Sequence, residues 1–102
     1  YTMDRNVKED IQMELIHEGK AFRHYNAAGE MDAEITYASK GEGVIEANHT
    51  FVDSSLRGQG VARQLVDKLA DFARAENLKI HPTCSYVVAL FEKSTEYDDV
   101  KI

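Results

Sequence analysis

The sequence predicts an α/β fold of the α+β type, in which a mixed, mostly antiparallel sheet is followed by two helices. Alternating apolar residues occupy the first half of the chain, whereas apolar residues recur at helical spacing after Asp53. A length of 102 residues with 43% hydrophobic residues suits one compact domain. We therefore expect residues 1–102 to form a single domain whose strands precede its principal helix.

Four strands are expected in the first half. Residues 1–8 are charged and carry little periodic apolarity, so we expect a flexible arm there. The alternation of Ile11, Met13 and Leu15 predicts a first strand that ends before a turn at Gly19. The remaining strands of this antiparallel meander are expected at residues 21–25, 31–38 and 44–52.

The second half reads as helix, strand and helix. A long amphipathic helix is predicted from about Gly60 to Glu76, with Asn77 as its stop. Residues 78–81 form a short strand that Pro82 ends, because proline lacks a backbone donor. The predicted core residues of this half are Leu65, Leu69, Phe72 and Phe91.

The last predicted helix runs from Ser85 to about Ser94, and either Ser85 or Thr83 can cap it. The tail, Thr95 to Ile102, is acidic, and we expect it to be solvated surface.

Composition excludes several classes of protein. The formal net charge is −6, which provides no global positive field for nucleic acid. The longest wholly apolar run, Tyr86 to Phe91, is too short to cross a bilayer, so no membrane partner is expected. The lone Cys84 allows no internal disulfide and favours the cytoplasm. The four histidines lack metal-ligand spacing, so no metal site is expected.

A glycine-containing loop joins the fourth strand to the long helix, with the sequence Arg57-Gly58-Gln59-Gly60-Val61-Ala62. The first backbone amides of a helix lack partners and lie at the positive end of its dipole, so they can bind an anion. Gly58 and Gly60 allow positive φ values and a close approach of the ligand, and Arg57 adds a charged donor. The loop therefore predicts a local phosphate site in an acidic protein.

Two common phosphate motifs do not fit this loop. A P-loop requires Lys and then Ser or Thr after its last glycine, and the dinucleotide fingerprint requires a third glycine where Arg63 stands. The pattern R-x-x-G-x-A instead resembles the pyrophosphate-binding loop of the GNAT superfamily of acyl-CoA N-acyltransferases. This resemblance implies a GNAT-like fold, with acetyl-CoA held by main-chain amides of residues 59–62 and assisted by Arg57.

Three blocks narrow the resemblance to a family of minimal GNAT-like acetyltransferases. They are residues 49–52, 56–62 and 82–87, with the sequences HTFV, LRGQGVA and PTCSYV. In that family, a histidine before the loop and a cysteine after the next strand form the proposed active-site pair. The matching residues here are His49 and Cys84. Alternation places His49 with Ile45, Ala47 and Phe51 on the apolar side of its strand.

The resemblance implies an N-acetyltransferase that transfers an acetyl group from acetyl-CoA to an amine, which can be a small molecule, a protein N-terminus or a lysine. Either the amine attacks directly while His49 removes its proton, or Cys84 is acetylated first with His49 as its base. His81 is an alternative partner. The larger enzymes cover the acceptor with inserted helices, but only a turn fits between Leu15 and Lys20, so we expect an open acceptor side.

A second departure leaves other interpretations open. Phe91 stands where many superfamily members carry a tyrosine that protonates the leaving thiolate, so Cys84, Tyr86 or water would have to act instead. A non-catalytic acyl-CoA-binding module is therefore an alternative, and a nucleotide-binding or protein-interaction domain is a weaker one. Cys84 can equally be an inert buried residue and His49 a strand residue satisfied by hydrogen bonds. We expect a monomer or a weak dimer.

Overall fold

A computed structural model describes residues 13–102 of the chain. The predicted arm at residues 1–8 and Ile11 of the predicted first strand lie outside these residues. The elements are β1 (Ile16–Glu18), β2 (Ala21–Tyr25), β3 (Met31–Gly41), β4 (Val44–Val52), α1 (Val61–Glu76), β5 (Lys79–Pro82) and α2 (Ser85–Lys93). The strands form one five-stranded sheet in the order β1-β2-β3-β4-β5.

The first four strands pair antiparallel, and β5 pairs parallel to β4. This mixed sheet with two helices confirms the predicted fold class, including the meander. The first strand was predicted too early, because Met13 and Leu15 precede the strand that begins at Ile16. Met13 instead donates its backbone N–H to the side-chain oxygen of Gln64 on α1, at 2.9 Å.

One face of the sheet, here called the inner face, packs against α1. Along β3, Ala33, Ile35 and Tyr37 point to this face and are buried, as their alternation predicts. From α1, the buried residues are Val61, Leu65, Val66, Leu69, Ala70 and Ala73. Leu65, Leu69 and Phe91 are buried as predicted, whereas Phe72 is half-buried at the edge of the core.

The opposite face, here called the outer face, carries Arg23, Glu34, Thr36, His49 and Phe51. The half-exposed side chains of Phe51 and His49 show that this face is open along β4. A turn alone separates β1 from β2, and no helix lies between these two strands. The expectation that only a turn fits between these strands is confirmed.

The acidic tail contributes two residues to the core, so its prediction as solvated surface was wrong for Tyr97 and Val100, whereas Glu96, Asp98 and Asp99 are exposed. Tyr97 and Val100 are buried, and the ring of Tyr97 stacks on Phe91 with centroids 5.0 Å apart. Backbone hydrogen bonds join Ile80 of β5 to Val100 and Ile102. Two apolar residues at a spacing of three thus enter the core from a segment whose charges dominate its composition.

Candidate functional site

The loop between β4 and α1 has a defined geometry. It opens with Asp53, whose carboxylate accepts hydrogen bonds from the Ser55 hydroxyl at 2.7 Å and from the Ser55 backbone N–H at 3.0 Å. These two bonds hold the pKa of Asp53 below its usual range. Gly58 and Gly60 have φ values of 81° and 74°, in the left-handed region that favours glycine. The positive φ values predicted for both glycines are confirmed.

The start of α1 carries uncapped amides. Gly60 is the N-cap residue and has no side chain that could cap the helix, so within residues 13–102 no capping side chain satisfies the first backbone N–H groups of the helix. A cavity of about 250 Å³ lies at this point, here called the loop cavity. It is lined by Val52, Leu56, Arg57, Gly58, Gly60, Val61, Ala62, Arg63 and Tyr86. Gln59, the remaining predicted loop ligand, does not line it and donates its side-chain N–H to Ser55 at 3.4 Å.

The sheet opens beside this cavity. Pairing between β4 and β5 ends where Ala47 faces Pro82. The backbone N–H groups of Thr83 and Cys84 both donate to the Ala47 carbonyl at 3.0 Å, which fixes the vertex of the opening. Beyond Ala47, no described strand pairs with the β5-facing edge of β4. The loop cavity and this free edge together form one continuous candidate site.

Cys84 lies at the vertex of the opening and is the N-cap residue of α2. The predicted caps, Ser85 and Thr83, do not cap the helix, because the Thr83 hydroxyl instead donates to Glu46 at 2.8 Å. The Cys84 thiol is half-buried and lies 3.3 Å from the hydroxyl oxygen of Thr50 on β4. The thiol is therefore held between β4 and the start of α2.

Burial acts to raise the pKa of the Cys84 thiol, but the Thr50 hydroxyl and the nearby backbone amides of Val87, Tyr86 and Thr50 outweigh it. The resulting pKa is lower than that of an ordinary cysteine. None of the α2 amides makes a hydrogen bond of regular geometry to Sγ, so Thr50 is the principal partner. A thiol with a lowered pKa contains more thiolate, its reactive form, at neutral pH.

His49 lies on the outer face, which corrects the expectation that it shares the apolar side with Ile45 and Ala47. Tyr37 pairs with Ala47 but Thr36 pairs with His49, so Asn48 is an extra residue, a β-bulge. One inserted residue reverses the alternation, and the side chains of His49 and Phe51 are turned outward. The His49 side chain is 53% exposed, and its Nε2 lies 3.5 Å from Oε2 of Glu34.

The structure does not join His49 to Cys84. Thr50, which holds the thiol, pairs with inward-facing Ile35, whereas His49 faces outward, and no hydrogen bond connects the two predicted partners within residues 13–102. His81 does not replace His49. It pairs with Glu46, and its buried Nδ1 has no hydrogen-bond partner among the described residues.

Three residues of the site, Thr50, Glu34 and Arg63, were not singled out from the sequence, whereas Tyr86 was named as a candidate acid. Thr50 and Glu34 contact Cys84 and His49, but only the strand pairing brings them there. The sequence did draw attention to Arg63, because this cation stands beside the glycine loop, at the position where the dinucleotide fingerprint requires a third glycine. Tyr86 lines the loop cavity, and burial raises the pKa of its hydroxyl, which therefore keeps its proton at neutral pH.

Phe91 offers no polar group to this site. Its ring is buried against Tyr97, so the place assigned to the superfamily's tyrosine is apolar. Among residues 13–102, no group of three or more His, Cys, Asp or Glu residues could hold a metal ion. None of the helices there has the length and apolarity to cross a membrane.

The chain that carries this uncapped helix start, glycine loop and opening between β4 and β5 also matches a known protein family. The GCN5-related N-acetyltransferase family model matches residues 21–100. The chain therefore belongs to the GCN5-related N-acetyltransferase, or GNAT, family.

Individual relatives are similar over different lengths. A GCN5-like protein of Staphylococcus aureus, with a solution structure, is 33% identical, with a TM-score of 0.75 and 88% of each chain covered. Protein NATD1 of Gallus gallus and of Homo sapiens is 36% identical over 55 residues, or 54% of this chain. That match spans about half the length of these curated relatives.

The GNAT protein YhbS of Escherichia coli, crystallised with CoA, shares the fold at a TM-score of 0.51 and 23% identity. The match covers 59% of this chain and 37% of the YhbS chain.

Proposed function

We propose that this protein is an acetyl-CoA-dependent N-acetyltransferase that transfers an acetyl group to an amine. The observation that carries the proposal is the meeting of two helix starts at one opening of the sheet. The start of α1 faces the loop cavity, and Cys84 is the N-cap residue of α2, with its thiol beside Thr50. An anion-binding site next to a reactive thiol suits a ligand that carries both phosphate groups and a thioester.

The loop residues fit the diphosphate of coenzyme A. The uncapped amides that begin α1 would donate to it, and the guanidinium of Arg57 in the cavity wall would add a charged hydrogen bond. A Cβ on Gly60 would meet no protein atom within 4 Å, so glycine leaves open space at this position. The free edge of β4 beyond Ala47 would accompany the pantetheine arm toward Cys84. CoA in YhbS, which shares this fold, supports the assignment.

The coenzyme supplies the acetyl group as a thioester. In a covalent route, the Cys84 thiolate attacks the acetyl carbonyl, the bond to the coenzyme sulfur breaks, and Sγ carries the acetyl group. The amine nitrogen then attacks this thioester and Cys84 leaves as thiolate. Thr50 and the α2 amides favour that thiolate, so this route does not need His49 as the base for Cys84.

His49 suits a different task, on the acceptor side. Its exposed imidazole lies beside the Glu34 carboxylate on the outer face. There it can accept the proton that the amine loses, either in the covalent route or in direct attack on the coenzyme thioester. Tyr86, which retains its proton, can protonate the leaving thiolate in place of the missing tyrosine. The open outer face would admit a small amine, a protein N-terminus or a lysine side chain.

Coenzyme binding is tested by thermal unfolding. Coenzyme A at a hundred times its Kd should stabilise the fold by about 2.7 kcal/mol, whereas ATP and NAD should not. Gly60→Val should abolish this stabilisation, because the valine side chain would occupy the space of the diphosphate. Gly43→Val is the matched control, since Gly43 has a similar φ of 73° in the β3–β4 turn. Stabilisation by ATP or NAD but not by coenzyme A would reject the proposal.

The route is tested by mass spectrometry after one turnover. Acetyl-CoA should add an acetyl group to Cys84 that disappears when an accepted amine is added. A Cys84→Ala variant with full transfer activity would remove the covalent route and leave direct attack.

A non-catalytic acyl-CoA-binding module is the second candidate, and the buried Phe91 in place of a tyrosine favours it. Tight coenzyme binding without thiol release across amines and lysine peptides would establish that function instead. Either function suits a monomer or weak dimer in the cytoplasm, where Cys84 stays reduced.

A further inference from the structure

Arg63 lies in the wall of the loop cavity, but its guanidinium is bound by residues 95–102, here called the C-terminal segment. Its Nε donates to the Tyr97 hydroxyl at 2.6 Å, and its Nη2 donates to Glu96 at 2.7 Å. Asp67, one turn along α1, is 3.7 Å from Nε and accepts a hydrogen bond from the same Tyr97 hydroxyl. Tyr86, also in the cavity wall, is close enough for the charge of Arg63 to act on its hydroxyl.

The two main partners of Arg63 differ in how firmly they are fixed. Tyr97 is 1% exposed and its ring is stacked on Phe91, so its hydroxyl is a rigid acceptor for Nε. The Glu96 side chain is 64% exposed, and such an ion pair contributes little in water. A stronger anion can therefore replace Glu96 at Nη2 while Tyr97 continues to orient the guanidinium.

We propose that Arg63 is a second arginine ligand for the diphosphate, which displaces Glu96 from its Nη2. This inference rests on the proposed function, in which the loop cavity is the binding site for the coenzyme diphosphate. Arginine binds phosphate oxygens through its planar fork, and Arg57 approaches from the loop side of the cavity. The C-terminal segment thus has two opposite effects: Tyr97 positions the arginine and Glu96 competes with the ligand.

Calorimetric titration with coenzyme A separates these effects. Arg63→Gln should weaken binding about tenfold, the loss of one charge-assisted hydrogen bond. Glu96→Gln should tighten binding about threefold, because it removes a competing carboxylate and keeps the shape. Tyr97→Phe retains every charge, so weaker binding by this variant reports the orientation of Arg63.

Arg74→Gln is the matched control. Arg74 also lies on α1 and also binds the C-terminal segment, through Asp99 at 2.7 Å and the Glu96 carbonyl at 3.0 Å. It does not line the loop cavity. Its loss should change the coenzyme Kd less than twofold. An equal weakening by Arg63→Gln and Arg74→Gln would assign both arginines a structural role and overturn the inference, as would weaker binding by Glu96→Gln.

Inorganic diphosphate, titrated against the same variants and followed by ³¹P NMR, distinguishes this inference from the proposed function. Binding that Arg63→Gln weakens and Glu96→Gln strengthens, without any binding of coenzyme A, would retain the anion site and reject the coenzyme. Coenzyme binding that is indifferent to both substitutions would retain the proposed function and reject the role of Arg63. Failure of both ligands to bind the parent protein would overturn both.

Discussion

The reactivity of Cys84 depends on one neighbouring side chain as well as on the helix behind it. Burial alone would make this thiol a weak acid, and the Thr50 hydroxyl at 3.3 Å is the first of the groups that reverse the effect. A hydroxyl can donate to the thiolate, whereas an isosteric valine cannot. Thr50 is therefore a positioning residue for the thiol.

We expect Thr50→Val to raise the pKa of Cys84 and to slow its alkylation by iodoacetamide at neutral pH. The reason is that fewer molecules then carry the thiolate. The measurement is the alkylation rate as a function of pH, whose midpoint gives the thiol pKa. Thr36→Val removes a hydroxyl from the outer face and should leave the midpoint in place. A midpoint that stays unchanged in Thr50→Val would show that the α2 amides alone control the thiol.

Sequence patterns were reliable for residues whose conformation is set locally. The left-handed φ of Gly58 and Gly60 followed from the turn itself. The side of the sheet on which His49 lies did not, because Asn48 becomes an extra residue only when β4 pairs with β3. Family resemblance named His49 and Cys84 as a pair, but it could not supply the sheet face on which His49 lies or the neighbours of the two residues, Glu34 and Thr50.

At the scale of elements, the predicted ranges agree closely with the structure from Ala21 onward. The long helix was expected from about Gly60 to Glu76 and runs from Val61 to Glu76. Its apolar spacing and its stop signal act within the helix, so both can be identified without tertiary contacts. The tail could not be predicted in this way, since Tyr97 and Val100 are buried by α1, α2 and β5 rather than by any local pattern.

The end of α1 offers a test of helix termination. Asn77 is the C-cap, with φ of 58°, and its backbone N–H donates to the carbonyls of Ala73 and Arg74. Asn77→Ala should destabilise the protein by about 1 kcal/mol, because alanine lacks the short polar side chain whose local hydrogen bonding lets asparagine tolerate the left-handed region. Asn77→Gly should be at least as stable as the parent. Urea unfolding measures both, and equal stabilities for the two variants would contradict this account of the cap.

Across the whole molecule, the C-terminal segment connects elements that are distant in the chain. Its apolar residues complete the core, and its carboxylates bind the arginines of α1 at two points along the helix. Arg63 at the first turn contacts Glu96, and Arg74 three turns later contacts Asp99. The segment that would compete for the coenzyme seat is thus anchored at its other end by a separate ion pair.

This anchor makes stability depend on pH. The hydrogen bond from Arg74 holds the pKa of Asp99 below its usual range. A carboxyl whose pKa is depressed by folding stabilises the native state at pH values above its unfolded pKa, and this contribution is lost as the pH falls through the folded value. The melting temperature should therefore fall below about pH 4, near the ordinary pKa of aspartate.

Asp99→Asn should melt lower than the parent at pH 7 and show a smaller decline on acidification. Glu92→Gln, on the exposed side of α2, should follow the parent curve, since no described residue forms an ion pair with Glu92. Melting curves recorded by circular dichroism from pH 7 to pH 3 make the comparison, and parallel curves for Asp99→Asn and the parent would show that the Arg74 pair does not anchor the segment.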